Sequence, residues 1–266
     1  LPAHLRIKAA SAVDIALYDL FGKQHGTPVY ELLNHDSSEL QTQLPLYASA
    51  GMYMRPREHV DQAKALETSG FFGYKYRPGI GPSDDRETIT SLCEAVDMEV
   101  MVDAHTWWKM DGHSYGPETV ASLVTHASEE GVYWVEEPVE PDNYQGYIEL
   151  NTFAPIAGGE SEQSSEGLRS LAQTGGVDFL QGDARHHSGF TGCLSAAKHC
   201  EGTPIEFVPH NFGTWIGLAA NAHLVAAAPE TRLLEYPVFE EDPVLGTAAD
   251  PGMYPFDLAF DIIHGM

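Results

Sequence analysis

Basic residues are scarce in this sequence. Its 266 residues contain 14 Lys and Arg against 39 Asp and Glu, a formal net charge of −25, and only six of the basic residues are Lys. Phosphates and anionic lipid surfaces are bound through clustered Lys and Arg, so the composition argues against nucleic acid and membrane partners. Strong acidity with little Lys is typical of a surface in concentrated salt, where screening weakens self-repulsion. We therefore expect a cytoplasmic protein in a high-salt cytoplasm; the alternative is an ordinary acidic enzyme.

Several other sequence signals are absent. The three cysteines are too few for a disulfide framework and form no CxxC pair, which predicts reduced thiols. No apolar run approaches the ~20 residues of a membrane span, and no signal peptide opens the chain. No GxGxxG motif follows an early strand, which disfavours a dinucleotide-binding open sheet. Hydrophobic residues nevertheless make up 43% of the chain, which is enough for a sizeable core.

The pattern of apolar residues predicts an α/β protein. The first part reads as helical, with one helix that ends near Gly22 and a second that begins at Pro28. From about Gln43, short apolar runs alternate with helical stretches, which predicts βαβ units and a parallel sheet. The predicted strands are 44–50, 72–77, 99–104, 133–137, 155–159, 177–182, 204–209 and 233–236, and the predicted helices include 57–69, 84–96, 117–130, 164–174, 189–200 and 214–227. Strands at this density are typical of a TIM-type barrel.

Ionisable residues follow six consecutive predicted strands. A barrel carries its chemistry at the C-terminal ends of its strands, so we expect these residues to meet at one rim; they are Asp103, Glu136, Glu160, Asp183, His210 and Glu235. Carboxylates from three neighbouring strands would repel one another unless a cation neutralised them, and an all-oxygen set favours Mg²⁺. The alternative for each carboxylate alone is a helix N-cap or a solvated loop residue.

Two pairs of residues predict acid–base chemistry on an anionic substrate. Asp183 beside His210 would fix the imidazole tautomer and raise its basicity, which makes a general base; the alternative is a histidine satisfied by any nearby acceptor. Lys75 and Arg77 alternate along a strand and therefore share one face, where an interior cation pair needs an anionic partner such as a substrate carboxylate. The alternative for this pair is an outward, solvated position. His105 can donate a proton from the same rim or be an ordinary loop histidine.

These strand ends, in this order, resemble those of the enolase superfamily, in particular its mandelate racemase / muconate lactonizing enzyme-like branch and the acid-sugar dehydratases of the gluconate and galactonate type. The resemblance covers nearly the whole chain. It is carried by residues 10–23, which look like the helix joining that family's capping domain to its barrel, and by Trp134–Pro138, Gly159-Glu160, Gly182-Asp183 and Pro209–Asn211. The successive spacings from Glu136 to Glu160, Asp183 and His210 are 24, 23 and 27 residues.

The resemblance implies a fold and a domain division. It implies a modified TIM barrel, (β/α)₇β, over 43–237, the helical part of an α+β capping domain over 1–42, and a C-terminal segment, 238–266, that packs back on the cap or barrel. The antiparallel cap strands expected before the first helix are absent from this sequence, so substrate specificity cannot be read from it. A homo-oligomer that acts on a small-molecule carboxylate is also implied.

The resemblance also implies roles for single residues. One Mg²⁺ per active site would be held by Asp103, Glu136 and Glu160. The base dyad would be His210 with Asp183. The substrate would be bound by Lys75, Arg77, Glu235 and Asn211, of which Lys75 and Glu235 contact its carboxylate.

Two departures from the family pattern bear on the reaction. Arg77 stands where racemases of this branch keep a catalytic Lys, and a guanidinium, with a pKa above ~12, seldom serves as a base. His105 stands where many relatives show Asn, and it resembles the dehydratase His that protonates the departing hydroxide. We expect a hydro-lyase that removes the α-proton of a sugar acid (aldonate) through an enediolate and yields a 2-keto-3-deoxy acid. The alternatives are a racemase or epimerase of a 2-hydroxy acid and a catalytically silent barrel homologue.

Overall fold

The computed structural model of the protein describes residues 2–34, 40–41, 43–105, 108–110, 113–228 and 231–238. Of the predicted C-terminal segment, residues 239–266 lie outside the described residues. The chain divides into two compact units, each described by itself below. The first unit comprises the described residues of 1–45 and 158–235, and the second comprises those of 46–157 and 236–238.

Helices and strands alternate along most of the chain. In order they are α1 (Ala3–His25), α2 (Val29–Leu33), β1 (Leu46–Met52), α3 (Pro56–Glu67), β2 (Gly73–Arg77), α4 (Pro82–Ala95), β3 (Glu99–Asp103), β4 (Lys109–Met110), β5 (His113–Ser114), α5 (Pro117–Glu129), β6 (Trp134–Glu136), α6 (Tyr144–Asn151), β7 (Ile156–Gly158), α7 (Ser165–Thr174), β8 (Phe179–Leu180), α8 (Gly189–Cys200), β9 (Glu206–Phe207), α9 (Trp215–Ala227) and β10 (Leu234–Pro237).

Eight of these strands belong to one sheet, in the order β10-β1-β2-β3-β6-β7-β8-β9, and β4 pairs with β5 in a separate antiparallel hairpin. The ladders β1–β2, β2–β3, β3–β6, β6–β7 and β8–β9 are parallel. Two further backbone hydrogen bonds belong to this sheet. The Gln181 N–H, just after β8, donates to the Gly158 carbonyl of β7 at 2.8 Å, and the Leu234 N–H of β10 donates to the Pro45 carbonyl, just before β1, at 3.0 Å. The predicted α/β class with a parallel sheet is therefore confirmed.

The predicted elements overlap observed ones, with differences at their ends. Strands β8 and β9 have only two residues each. The backbone of Gln181 and Val208 nevertheless extends their hydrogen bonding, since Val208 N–H donates to the Leu180 carbonyl at 3.0 Å. Helix α6 and the β4–β5 hairpin were not predicted. Helix α6 has eight residues and buries only Tyr147 and Leu150, too few apolar positions for a helical period to be evident.

Aromatic and aliphatic side chains form the core of each unit. In the second unit Tyr47 packs edge-on against Trp134, with ring centroids 5.3 Å apart, and both residues are fully buried. In the first unit Leu168, Phe190 and Phe207 are almost completely buried. Because these side chains fix the strands on which they lie, the polar residues that follow the strands are held in defined positions.

Helix α1 packs on α8 through small and polar residues. The buried Ser11 hydroxyl donates to the Ile7 carbonyl at 3.0 Å and accepts the Ser188 N–H at 2.9 Å, and Tyr18 meets Phe190 edge-on. A helix was predicted here, but its predicted end at Gly22 is wrong, because α1 continues to His25 and Gly26 is the C-cap with a left-handed φ of 65°. Four of its predicted apolar positions are more than half exposed; they are Val13, Leu17, Leu20 and Phe21. Within the part of the chain that the structure describes, no helix, α1 included, is long and apolar enough to cross a membrane.

Candidate active site

Two cations of the second unit lie against two carboxylates. The Lys75 ammonium is 2.6 Å from Glu136 Oε1 and 3.7 Å from Asp103 Oδ2, and Arg77 Nε donates to Asp103 Oδ2 at 3.1 Å. Asp103 and Glu136 are register partners on the parallel strands β3 and β6, so their side chains share a face. Alternation along β2 gives Lys75 and Arg77 a common face as well. Lys75 is only 1% exposed, so this pair is not the solvated alternative.

Neighbouring donors fix both carboxylates in the second unit. Trp134 Nε1 donates to Glu136 Oε2 at 3.1 Å, and the backbone N–H of His105 donates to Asp103 Oδ1 at 2.8 Å. An isolated buried carboxylate is costly because it loses its hydration, and hydrogen bonds together with opposite charges offset that cost. Two carboxylates with two cations leave this group without net charge, which is why Asp103 and Glu136 tolerate burial.

Glu137 is a buried acidic residue of the second unit that the sequence analysis did not place in the site. It is 1% exposed, and its backbone lies in the left-handed region at φ 43°. A carboxylate oxygen of Glu137 lies within 4.8 Å of a ring nitrogen of His105. Regular strand alternation would point the Glu137 side chain away from the face of Glu136. The positive φ of Glu137 breaks this alternation, and the sequence gives no sign of it.

In the first unit, His210 lies between two carboxylates. Its Nδ1 is 3.0 Å from Asp183 Oδ2, and its Nε2 is 2.6 Å from Glu160 Oε2. The backbone N–H of His210 donates to the Gly182 carbonyl at 2.9 Å, which extends the β8–β9 ladder and brings His210 beside Asp183. The structure thus brings together the two residues of the predicted base dyad.

The electrostatics of this pair favour a charged state. Burial lowers the pKa of His210, but the charges of Glu160 and Glu235 and hydrogen bonds to Asp183 and Glu160 raise it, and the net result is a pKa well above the ordinary 6.5. Burial raises the pKa of Asp183, whereas His210 and Arg185 lower it by hydrogen bonding and charge, to well below the ordinary 3.8.

Arg185 also binds Asp183, and the sequence analysis did not identify it. Its Nε lies 3.1 Å from both Asp183 oxygens, its Nη2 lies 2.5 Å from Oδ2, and its Nη1 donates to the Phe212 carbonyl at 3.1 Å. Glycines make room for this guanidinium, since a Cβ on Gly213 would lie 2.3 Å from Nη1 and one on Gly217 would lie 2.6 Å from Cδ. Arg185 and the two glycines are far apart in sequence, so no local motif signals the contact.

Glu235 and Asn211 are bonded to each other. The Asn211 backbone N–H donates to Glu235 Oε2 at 2.7 Å, and both residues are fully buried. Asn221, a further residue that the sequence analysis missed, donates through Nδ2 to the His210 carbonyl at 3.0 Å and accepts the Ala184 N–H at 3.1 Å. These contacts fix the backbone around His210.

The sequence-predicted site residues therefore form two groups, one in each unit. The group of the second unit contains Lys75, Arg77, Asp103, His105 and Glu136. The group of the first unit contains Glu160, Asp183, His210, Asn211 and Glu235. The predicted catalytic, substrate-binding and metal-binding roles of these residues remain predictions.

Protein-family models describe most of this chain. Residues 58–257 match the enolase C-terminal domain-like family, and residues 3–34 match the N-terminal domain of the mandelate racemase / muconate lactonizing enzyme family. The chain belongs to the enolase superfamily. The family resemblance seen in the ordered strand ends is confirmed.

Two enolase-superfamily relatives carry names of sugar-acid enzymes. The chain is 29% identical over 231 residues to D-galactarolactone cycloisomerase of Agrobacterium fabrum, which covers 84% of this chain and 58% of the relative. It is 33% identical over 212 residues to L-rhamnonate dehydratase of Saccharopolyspora erythraea, which covers 77% of this chain and 51% of the relative. The chain thus spans little more than half the length of these relatives.

Solved structures of the superfamily share this fold. The 3,6-anhydro-D-galactonate cycloisomerase of Zobellia galactanivorans matches with a TM-score of 0.77 and 31% identity, over 88% of this chain and 64% of that one. An enolase from Bradyrhizobium, solved with magnesium and mandelic acid, matches with a TM-score of 0.73 and 25% identity, over 86% of this chain and 61% of that one.

Replacing Arg185 tests the electrostatics of the dyad. We expect Arg185→Gln to lower the free energy of unfolding by ~3 kcal/mol near pH 7, since it removes the cation from a buried carboxylate. A carboxylate with a lowered pKa stabilises the fold above its ordinary pKa of 3.8 and stops doing so as the pH falls through its lowered value. The difference in free energy of unfolding between wild type and variant should therefore narrow progressively as the pH falls below 3.8, as measured by urea unfolding at a series of pH values.

Arg169→Gln is the matched control for this measurement. Arg169 pairs with the exposed Glu166, so its loss should change stability by less than ~1 kcal/mol at any pH. Equal effects of the two substitutions would contradict the assignment of Arg185 to the dyad.

Proposed function

We propose that this chain belongs to a Mg²⁺-dependent sugar-acid dehydratase, which removes the proton α to a carboxylate and eliminates water to give a 2-keto-3-deoxy acid. The observation that carries the proposal is the buried ion pair of His210 and Asp183 in a chain of the enolase superfamily. The name of the relative L-rhamnonate dehydratase supports the substrate class.

The donor set fits a hard divalent cation. Asp103, Glu136 and Glu160, the proposed ligands, supply only carboxylate oxygens, and the exposed fractions of these residues are 2%, 0% and 9%. Asp103 and Glu136 are register partners on adjacent strands, so both carboxylates could face one cation, which would replace Lys75 and Arg77 as their positive partner. A bound Mg²⁺ would supply Lewis-acid stabilisation of the charge that develops on the substrate carboxylate.

His210 is the proposed base. A proton α to a carboxylate is very weakly acidic, so a base must be positioned at it and the resulting charge must be stabilised. Asp183 accepts from Nδ1, so Nε2, which donates to Glu160 in the structure, is the atom that would accept the substrate proton once the imidazole is neutral. Electrons from the broken C–H bond move into the carboxylate as an enediolate.

Cations and a buried acid are the proposed partners of that enediolate. Lys75 and Arg77 donate to anionic oxygen atoms in the structure, and the substrate carboxylate offers the same chemistry. Glu235 and Asn211 complete the proposed binding set. His105 then protonates the β-hydroxyl as the C–O bond breaks, and the enol product tautomerises to the 2-keto-3-deoxy acid.

An isomerase is the second candidate, because two of the relatives are named cycloisomerases. A two-base racemase or epimerase is less favoured, since Arg77 occupies the place of the second base and retains its proton at neutral pH. A catalytically silent homologue is the third reading. Mass spectrometry of the products separates these candidates: dehydration removes the mass of one water, isomerisation conserves mass, and a silent homologue changes no acid.

The activity itself is tested with a library of aldonic acids and Mg²⁺. We expect at least one acid to yield a 2-keto-3-deoxy product, and His210→Asn to lower its formation by at least ~100-fold, because the base is lost. His199→Asn, at an exposed histidine of α8, is the control and should retain activity. Retention of the wild-type rate by the His210 variant would remove His210 from the base role.

Metal binding is tested separately from turnover. We expect Asp103→Asn and Glu160→Gln each to weaken Mg²⁺ binding in calorimetric titration by more than ~10-fold, which is the loss that even outer partners of a metal ligand produce. Glu149→Gln, at an exposed carboxylate of α6, should leave binding unchanged. Unaltered binding by both ligand variants would contradict the proposed ligand set.

A high-salt cytoplasm is proposed as the setting, on the formal net charge of −25 and the six lysines. Self-repulsion among so many carboxylates grows as screening is removed. We expect the melting temperature to fall when the protein is moved from molar KCl to dilute buffer. A melting temperature that does not depend on salt would overturn the proposed setting.

A further inference from the structure

A buried carboxylate outside the proposed site organises the loop after β2. Asp85 lies in the first turns of α4 and has no exposed surface. Its Oδ1 accepts the backbone N–H groups of Gly79 at 2.9 Å and Ile80 at 3.1 Å. These residues follow Arg77 directly, so Asp85 fixes the path of the chain as it leaves the strand that carries Lys75 and Arg77.

The second oxygen of Asp85 holds the loop after β3. Its Oδ2 accepts from Trp108 Nε1 at 2.9 Å and from the Tyr115 hydroxyl at 2.7 Å. The Tyr115 oxygen in turn accepts the Gly81 N–H at 3.0 Å, which closes a connection between the two loops. A single carboxylate thus accepts four hydrogen bonds, two from the loop after β2 and two from the segment between β3 and α5.

Trp108 is hydrogen-bonded to the backbone immediately before His105. Its N–H donates to the Ala104 carbonyl at 2.7 Å, and its carbonyl accepts the Tyr115 N–H at 2.9 Å. Its φ is 50°, a left-handed conformation that is unfavourable for a bulky residue and persists only where surrounding contacts impose it. The indole is 1% exposed, and its bond to Asp85 is one of those contacts.

We propose that Asp85 is a positioning residue that holds Trp108, and through it the backbone at Ala104 beside His105, together with the loop after Arg77, in the arrangement the reaction needs. The inference rests on the proposed function, because it gives His105 the role of the acid in the elimination. None of the four hydrogen bonds of Asp85 comes from His105 or Arg77. It acts through Trp108, Tyr115 and the backbone of Gly79 and Ile80.

Loss of this positioning role should affect only the second of the two steps of the proposed reaction. Proton removal by His210 breaks the C–H bond and leaves its electron pair in the enediolate. Elimination then moves that pair into a C=C bond while the β-C–O bond breaks and His105 supplies a proton to the departing hydroxide. A displaced His105 slows only the second step, so the enediolate returns to substrate and takes a proton derived from solvent.

Asp85→Asn is the variant that addresses this role. An amide keeps the shape of the carboxylate, but one of its two ends becomes an NH₂ donor. That donor must face either the N–H groups of Gly79 and Ile80 or the indole N–H of Trp108, so one loop loses its acceptor. Asp84→Asn, at the exposed neighbouring carboxylate, is the matched control.

The first measurement needs no substrate. Amide hydrogen exchange in full-length Asp85→Asn should be faster than in wild type, by at least ~10-fold, at Gly79, Ile80, His105, Trp108 or Tyr115. The amide of Tyr133, which donates to the Val100 carbonyl in the sheet, is the internal reference and should not change. Unchanged exchange at all five amides would overturn the proposal whatever the activity of the protein.

The second measurement compares two rates in D₂O with Mg²⁺ and a turned-over aldonic acid. We expect the ratio of deuterium entry at the α-carbon to dehydration to rise by at least ~10-fold in Asp85→Asn and to stay at the wild-type value in Asp84→Asn. A purely structural loss lowers both rates together and leaves the ratio constant, which would overturn the positioning role.

Tyr115→Phe is a milder second variant, to be used if Asp85→Asn does not fold. It removes one bond to Asp85 Oδ2 and the acceptor for Gly81, and it should raise the same ratio by a smaller factor. A wild-type protein that catalyses neither deuterium entry nor dehydration would overturn the proposed function, and with it the catalytic part of this inference. The amide hydrogen exchange would then be the one test of whether Asp85 holds the two loops.

Discussion

Ionised carboxylates buried at the ends of parallel strands are the constraint on which this structure depends. Each would be prohibitively costly alone, and each is found with opposite charges and hydrogen-bond donors around it. Lys75 and Arg77 neutralise Asp103 and Glu136, while Arg185 and His210 neutralise Asp183. Buried ion pairs are seldom more stabilising than apolar residues of similar volume, and groups with strongly shifted pKa values, such as His210 and Asp183, are candidates for function.

The same carboxylates set the protonation of the proposed base. An imidazole between Asp183 and Glu160 binds its proton strongly, because both negative charges favour the imidazolium. The guanidinium at Arg77 then favours elimination over racemisation, since it can bind the substrate anion but retains its proton at neutral pH.

Much of the fold was predictable because strand periodicity and strand-end residues are local signals. The pairing of His210 with Asp183 follows from strand order, and alternation gave Lys75 and Arg77 a common inward face, although their protein partners Glu136 and Asp103 were not predicted. Arg185, Asn221 and Glu137 were not predictable, because their places depend on glycines distant in sequence, on amide contacts and on a positive φ. The apolar face of α1 that contains Val13 was predicted to be helical, but it is exposed. Helical spacing predicts that a helix forms, and it does not predict what packs against its apolar side.

The central claim, that carboxylates of three successive strands bind one metal, is tested most directly by anomalous diffraction from crystals grown with Mn²⁺ in place of Mg²⁺. The account predicts a single strong peak per chain, at ~2.0–2.3 Å from oxygens of Asp103, Glu136 and Glu160. A peak coordinated by other residues, or crystals in saturating Mn²⁺ with no peak at these carboxylates, would contradict it.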